Sequence, residues 1–363
     1  MTRKAARLGL SLVALALMTA PSFAEDDRLE SEIRAAVDAG DLPGLHAVLV
    51  MVGEHTLAEL YFDGEDEAWG RPLGEVVHGP DTLHDLRSVS KSITSLLYGI
   101  ALDEGLVPGL NESLVAQFPE YPDLAEDPER RRILVRHALT MTMGTEWDET
   151  RPYTDPRNSE IAMEKAADRY RFLLDRPLVD EPGARWVYNG GATAAIARLI
   201  AKGVGEPIDA YAKRKLFDPL GIETYEWVRG ADGEPAAASG LRLRLGDLAK
   251  IGRMIADGGR FGGRRIVSKE WLDASFTPQT AAEDSLRYGY FWWLAPRRGD
   301  AESRPVWGAG FGNGGQRLTI GFDAKVVVAV FAGNYNQPDA WKVPVTVIVD
   351  HVNPAIERHL RAQ

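Results

Sequence analysis

The chain contains no cysteine, so neither a disulfide framework nor a lipid-anchored lipoprotein is available to it. Basic charge is in short supply: 53 acidic residues face 42 basic ones, a formal net charge of −11, which argues against nucleic acid as a partner. The seven histidines, His46, His55, His78, His84, His137, His351 and His359, fall in no His-Glu-x-x-His or comparable ligand spacing. They therefore read as structural or surface residues, and no metal is expected. Gly-x-Ser-x-Gly is absent, which removes the simplest α/β-hydrolase reading, and so is the Gly-x-x-x-x-Gly-Lys-Ser/Thr phosphate loop. A literal Gly-x-Gly-x-x-Gly at Gly310, Gly312 and Gly315 precedes a predicted strand instead of following one and opening a helix, so it is no dinucleotide site. No cofactor is expected.

What is present begins with an export signal: Arg3, Lys4 and Arg7, an apolar run from Leu8 to Ala20, and the small-x-small site Ser22-Phe23-Ala24. The run is shorter than the ~20 residues of a membrane span. Cleavage after Ala24, a periplasmic or secreted protein, and no stable membrane anchor after cleavage are the expectations. A hydrophobic content of 45% permits one large domain, or two that share a core.

Hydrophobic periodicity predicts a first helix over 28–39, then strands Leu45–Val52 and Leu57–Phe62 about Gly53. Helices dominate next, over 88–105, 131–139, 160–174, 192–202 and 208–216. Strands return at 289–294, 316–322 and 326–332, and a helix over 345–360 is interrupted near Pro354. Strands at both ends with helices between predict an α/β (α+β) fold: one antiparallel sheet built from both termini, flanked by helices, with an inserted mostly helical subdomain. The expected boundaries are 1–24 for the signal, 25–87 plus 222–363 for the sheet subdomain, and 88–221 for the helical one. A cleft between the two is the natural ligand site.

Ser88-Val89-Ser90-Lys91 carries the most chemistry. Ile93, Leu96, Leu97, Ile100 and Ala101 recur at helical spacing and Gly105 sits where a helix stops, so Ser88 belongs at the N-terminus with Lys91 on the same face. The alternative is an ordinary helix start with a solvated lysine, but the helix shows no polar face on which to place it. Tyr188, in the loop Pro182–Gly191, is either a proton relay or a packed ring. The glycines of Gly308–Gln316 either admit a ligand close to the backbone or form a flexible loop.

Taken together, these segments resemble the serine β-lactamase and penicillin-binding-protein superfamily, in particular its esterase and 6-aminohexanoate-dimer-hydrolase-like branch. Thr82–Ser92 looks like the nucleophile segment, Leu139–Gly144 like the loop after the following helix, and Ser239–Ala249 like the return to the sheet. The resemblance implies a β-lactamase/transpeptidase-like fold and an acylated Ser88, with Lys91 and Tyr188 as a proton-transfer pair. It places the Lys-Thr-Gly-like element on Asn313-Gly314-Gly315, an edge-strand element. The backbone N–H groups of Ser88 and Gln316 would form the oxyanion hole, and Asn189, Asn313, Gly314 and Gly315 would contact substrate. Two departures stand out: Asn313 replaces the cation that meets a lactam carboxylate, and Gly190 replaces the Asn of Tyr-x-Asn. Acting as a base near neutral pH would require the Lys91 pKa to fall from ~10.4 to ~7, about 4 kcal/mol, helped by burial, the helix N-terminus and the cation Arg87. The expected protein is a secreted serine hydrolase of a small-molecule ester or amide. The alternatives are a β-lactamase or D-alanyl-D-alanine carboxypeptidase, or a non-catalytic binding or sensor protein on the same fold.

Overall fold

The computed structural model describes residues 22–300 and 303–362, with side chains from Asp27 onward. The export-signal reading thus falls largely outside the described residues; Ser22, Phe23 and Ala24 are placed only as backbone of the first helix, α1 (Ser22–Asp38). Strands β1 (Leu45–Val52) and β2 (His55–Tyr61) follow, and six more come late: β3 (Thr280–Ala281), β4 (Arg287–Tyr288), β5 (Trp293–Ala295), β6 (Trp307–Gly312), β7 (Gln316–Gly321) and β8 (Val326–Ala332). They form a single sheet in the order β3-β4-β5-β6-β7-β8-β1-β2 with every pair antiparallel. Early and late strands meet where Val48 pairs with Val330, so one sheet is built from both ends of the described chain.

Strand alternation divides the core into two layers, because successive side chains leave a strand on opposite faces. Val48, Val50, Val328 and Val330 pack with Leu29 and Ile33 of α1 and with Val347 and Val352 near the C-terminus. Ala47, Leu49, Val327, Ala329 and Phe331 face the other way, into a larger cluster that includes Leu96 and Leu97 of α2 (Val89–Asp103), Ile196 of α3 (Gly190–Val204) and Ile251 of α4 (Leu245–Ala256). Helix α2 is buried from Val89 through Ala101, so all but its last two residues are core and that stretch lacks a solvent face. Gly99 lets it approach Trp271 so closely that a Cβ would collide with the indole. Gly99→Ala is expected to cost about 1–3 kcal/mol through overpacking, measured as a lower urea midpoint at unchanged m.

Several elements differ from the periodicity reading, each for a local reason. The helix expected over 160–174 is two, Ser159–Glu164 and Arg169–Leu174, because Asn158 and Asp168 each cap a new start: Asn158 accepts from the Glu160 and Ile161 amides, Asp168 from the Arg171 amide. The 131–139 segment is helical only over Val135–Leu139, after a 3₁₀ turn at Arg130–Arg132. Before Pro354 the chain widens into a π turn over Val347–Val352 and then continues as α5 (Asn353–Ala362), a common way to pass a missing N–H. Ser239–Ala249 does not rejoin the main sheet. Its strand Leu241–Leu243 pairs with His84–Asp85 and Glu226–Trp227 in a separate small sheet, and α4 follows.

The glycine tract is the largest correction. It is a strand, β6, as far as Gly312, with Asn313–Gly315 forming the turn into β7. The glycines are there for close approach: a Cβ on Gly308 would lie 2.6 Å from Phe276, one on Gly310 3.0 Å from Ser92 Oγ, and one on Gly312 2.5 Å from the Leu86 carbonyl. Gly310 and Gly312 of β6 are therefore pressed against the start of α2 and the turn that leads into it.

Candidate active site

Ser88 caps α2 with φ −67° and ψ −6°, but its side chain makes no capping hydrogen bond, so the hydroxyl is free for other work. Arg87, immediately before it, has φ 47°, a left-handed conformation that costs a non-glycine residue free energy and is held by its surroundings. Those surroundings are anionic: its guanidinium meets Glu67, lies 3.0 Å from Asp85 Oδ2, and stacks 4.9 Å over the Tyr335 ring. Arg87 is thus turned away into its own ion pairs, and the part assigned to it in lowering the Lys91 pKa is not supported.

Lys91 is 1% exposed. Its Nζ is 3.0 Å from Ser88 Oγ, donates to the Ala238 carbonyl at 3.0 Å and to Glu160 Oε2 at 3.3 Å, and sits 4.9 Å from the Tyr188 ring centre. Burial alone would push its pKa down; the Glu160 carboxylate, with Tyr188 and Glu149 behind it, outweighs burial and holds it above the ordinary lysine range. The expectation of a neutral resting lysine is therefore overturned: Lys91 rests as an ammonium ion, because the chain supplies a counterion that its sequence neighbourhood does not reveal. Tyr188 is pushed up by burial, against the opposing pull of Lys91, and hydrogen-bonds with Ser88.

Two glutamates that sequence reasoning missed complete the cluster. Glu160 accepts from Ser239 Oγ at 2.7 Å and, despite burial, is held low by Lys91 and Ser239. Glu149 accepts from Trp147 Nε1 at 2.6 Å, from Tyr153 OH at 2.9 Å and from the Gly190 amide. Burial first, and the neighbouring Glu160 second, raise Glu149 to about 7. The two carboxyls meet at Gly190, where a Cβ would run into Glu160 Oε2 and lie 3.1 Å from Glu149 Oε1. Position 190 is therefore glycine because the glutamates fill the space that a side chain would take. That glycine, read as a lost amide, was the available signal.

Ser88, Glu160, Ser239, Tyr153, Trp69 and Asn313 line a cleft of about 240 Å³. Beside Tyr188 an aromatic wall runs through Trp186, Trp293 and Phe311, with Tyr188 and Trp293 stacked at 5.9 Å and Trp293 and Phe311 at 5.2 Å.

The remaining expected contacts are redistributed. Asn313 does line the cleft, its amide donating to Asn336 Oδ1 at 2.9 Å while its Oδ1 accepts from the Asn336 amide at 2.8 Å. Asn189 is 4% exposed and accepts from the Ala192 amide as the N-cap of α3, so it is structural. Gly314 (φ 93°) and Gly315 (φ 98°) supply turn geometry, backing onto Tyr335 and the Ala340 carbonyl. They stand in an interior hairpin, not on an edge strand. Gln316 lies across that hairpin from Gly312, and its side-chain amide bonds to Ala332 N and O. The backbone against the serine turn belongs instead to β6, which pairs with β5 only up to Ala309 and leaves Gly310–Gly312 without a ladder partner on that side.

An antiparallel sheet with helices on both faces, and a serine and lysine at the head of a buried helix, is the β-lactamase/transpeptidase architecture. Residues 29–342 match the Beta-lactamase family model, and the chain belongs to that family. The structure superposes on a class C beta-lactamase with a TM-score of 0.65 at 16% identity, over 91% of this chain and 97% of that one. Among curated relatives, the 6-aminohexanoate-dimer hydrolase of Paenarthrobacter ureafaciens is 27% identical over 245 residues, 63% of this chain and 56% of that protein. Lovastatin esterase of Penicillium rubens is 26% identical over 242 residues, 61% of this chain and 56% of that protein. The chain spans about half the length of the curated relatives it matches.

Proposed function

We propose that this protein is an exported serine hydrolase that cleaves a small-molecule ester or amide through an acyl-enzyme on Ser88. The observation that carries the proposal is the 3.0 Å approach of Lys91 Nζ to Ser88 Oγ at the floor of an open cleft, with the lysine otherwise fully enclosed. Curated relatives that include an esterase and a dimer hydrolase support the reaction class. The Arg3–Ala24 segment supports a periplasmic or secreted location.

In acylation the Ser88 oxygen bonds to the substrate carbonyl carbon as its proton passes to Lys91, which hands one of its own to Glu160. Tyr188 protonates the departing alkoxide or amine and is resupplied through Lys91, so the leaving group departs neutral. Water then attacks the acyl carbon, its proton passes through the same residues to Ser88 Oγ as the acyl–oxygen bond breaks, and the acid product leaves with Ser88 restored. The base is thus the Lys91–Glu160–Glu149 group acting as a unit, not the lysine alone. The carbonyl oxygen would be held by the Ser88 amide together with a β6 amide at Phe311, in place of Gln316. The aromatic wall of Trp186, Trp293 and Phe311 suits an apolar acyl or alcohol group.

A panel of p-nitrophenyl esters and anilides beside nitrocefin, with mass spectrometry of a fluorophosphonate adduct, tests the assignment. Turnover of an ester or anilide with the adduct on Ser88 supports it; a folded protein that neither turns over nor labels sinks it, and hydrolysis of nitrocefin alone would make it a lactamase.

The pH profile follows from Glu149. With its pKa at about 7 it is protonated in mild acid, and losing that proton gives the carboxyl pair its full capacity as acceptor. kcat/KM is expected to rise through about pH 7, and Glu149→Gln to remove that limb. Stability runs the opposite way. A carboxyl whose folded pKa exceeds its ordinary 4.5 stabilises the fold below pH 4.5, and that contribution is lost as pH rises toward 7. Stopped-flow rates and urea titrations across this window check both slopes.

A further inference from the structure

Behind the site, on the far side of Arg87, three histidines and an aspartate converge. His46 (β1), His78, His84 and Asp66 are all buried, and their potential ligand atoms lie within 4.8 Å of one another. Sequence spacing hides the group, because the four residues come from separate strands and loops. The hydrogen-bond bookkeeping is specific. His78 Nδ1 is 2.9 Å from the Phe62 carbonyl and His84 Nδ1 is 3.1 Å from the Asp85 carbonyl. A carbonyl only accepts, so both Nδ1 atoms carry hydrogen and both rings turn Nε2 inward. There His78 Nε2 stands 3.4 Å from Asp66 Oδ2, and His84 Nε2 stands 3.6 Å from Asp66 Oδ1 and 3.0 Å from His46 Nδ1. A backbone carbonyl on the outer nitrogen is the usual way in which a metal-binding imidazole is oriented. His46 stacks 4.1 Å from His78 and turns Nδ1 toward His84 Nε2, so three imidazole nitrogens and the Asp66 carboxylate lie together in one buried cluster.

We propose that His46, His78, His84 and Asp66 form a four-coordinate site for a divalent transition metal, of which zinc best fits three imidazoles and one carboxylate. His46 Nδ1 stands 3.0 Å from His84 Nε2 and His78 Nε2 stands 3.4 Å from Asp66 Oδ2, two opposite edges close to the ~3.3 Å edge of a tetrahedron with bonds of ~2.0–2.1 Å. Asp66 also accepts from Tyr335 OH at 2.9 Å, which leaves it fixed for ligation. The role is structural. Asp66 sits in the hairpin Gly64–Ala68/Arg71–Val76, whose next residues reach the cleft: Glu67 pairs with Arg87, and the Trp69 indole donates to Ser239 Oγ at 3.2 Å. The metal ties this hairpin to β1 and sets one wall of the cleft, so its loss acts on KM more than on kcat.

The test uses the full chain, stripped with a chelator and titrated with ZnCl₂ by calorimetry, with metal content measured as purified. One equivalent of zinc, a higher Tm on binding, and the visible d–d bands of four-coordinate cobalt(II) after substitution are expected. His78→Gln and Asp66→Asn should each lose the stoichiometric site, while His55→Gln, at the start of β2, keeps it. A wild-type protein that stays folded and takes up no equivalent of zinc overturns the proposal, and so does a site that survives both substitutions at full stoichiometry. Because the readout is binding, it stands or falls independently of hydrolysis at Ser88.

Discussion

Alanine at Ser88 is expected to abolish turnover and covalent labelling while leaving the fold intact. Removing a nucleophile that works with its base as one unit costs about 10⁴-fold or more in kcat. The structural cost is small for a reason visible in the cap: the hydroxyl accepts no helix amide, so the usual ~1 kcal/mol penalty for losing an N-cap oxygen does not apply. Lys91 also keeps its bonds to Ala238 and Glu160. Ester hydrolysis, fluorophosphonate labelling and the thermal midpoint can be measured on a single preparation. A labelled Ser88→Ala protein, or a rate within about tenfold of wild type, would end the Ser88 assignment.

Glu160→Gln should have the largest effect on stability. Lys91 and Glu160 have side chains 1% and 3% exposed, so neutralising one leaves the other's charge in the interior. Breaking a buried pair in this way costs about 3–5 kcal/mol. The loss has a pH signature. Without Glu160, burial is the leading influence on Lys91, its folded pKa falls below the ~10.4 of the unfolded chain, and stability rises with pH between those values as the amine sheds its proton. The double variant Lys91→Met/Glu160→Gln should cost less than the sum of the single ones, because it removes both charges. Hydrolysis should fall by at least about 10²-fold in Glu160→Gln, since the terminal proton acceptor is gone. A single variant within about 0.5 kcal/mol of wild type at pH 7 would show that the pair does not hold the lysine charged.

Legibility from sequence followed the range of the interactions. The serine helix, β1 and β8 were readable because strict apolar spacing over a continuous stretch has one burial solution, and the structure returns Leu45–Val52 and Val326–Ala332 at the predicted bounds. Helix ends were less readable where a single side chain, such as Asp168, caps a new start. The glycine tract stayed open in sequence between a ligand-admitting strand entry and a flexible loop, because glycine alone does not say what comes close; here Gly308, Gly310 and Gly312 record the collision that a side chain would make with Phe276, Ser92 and Leu86. Asn189 was offered as a substrate contact by the resemblance, yet its oxygen is taken by a helix cap.

The sequence by itself determined that the hydroxyl of Ser88 and the amine of Lys91 share one helix face, that this helix has no exposed side, and that a sheet would be assembled from both ends of the chain. Those are matters of period and burial, which local order encodes. Only the tertiary structure decided the charge on Lys91, because Glu160 lies 69 residues away along the chain and 3.3 Å away in space. It also decided that two carboxyls meet over Gly190 and that His46, Asp66, His78 and His84 converge behind Arg87. Protonation and ligation depend on which groups desolvate one another, and that is settled by the packing of distant segments, not by their order.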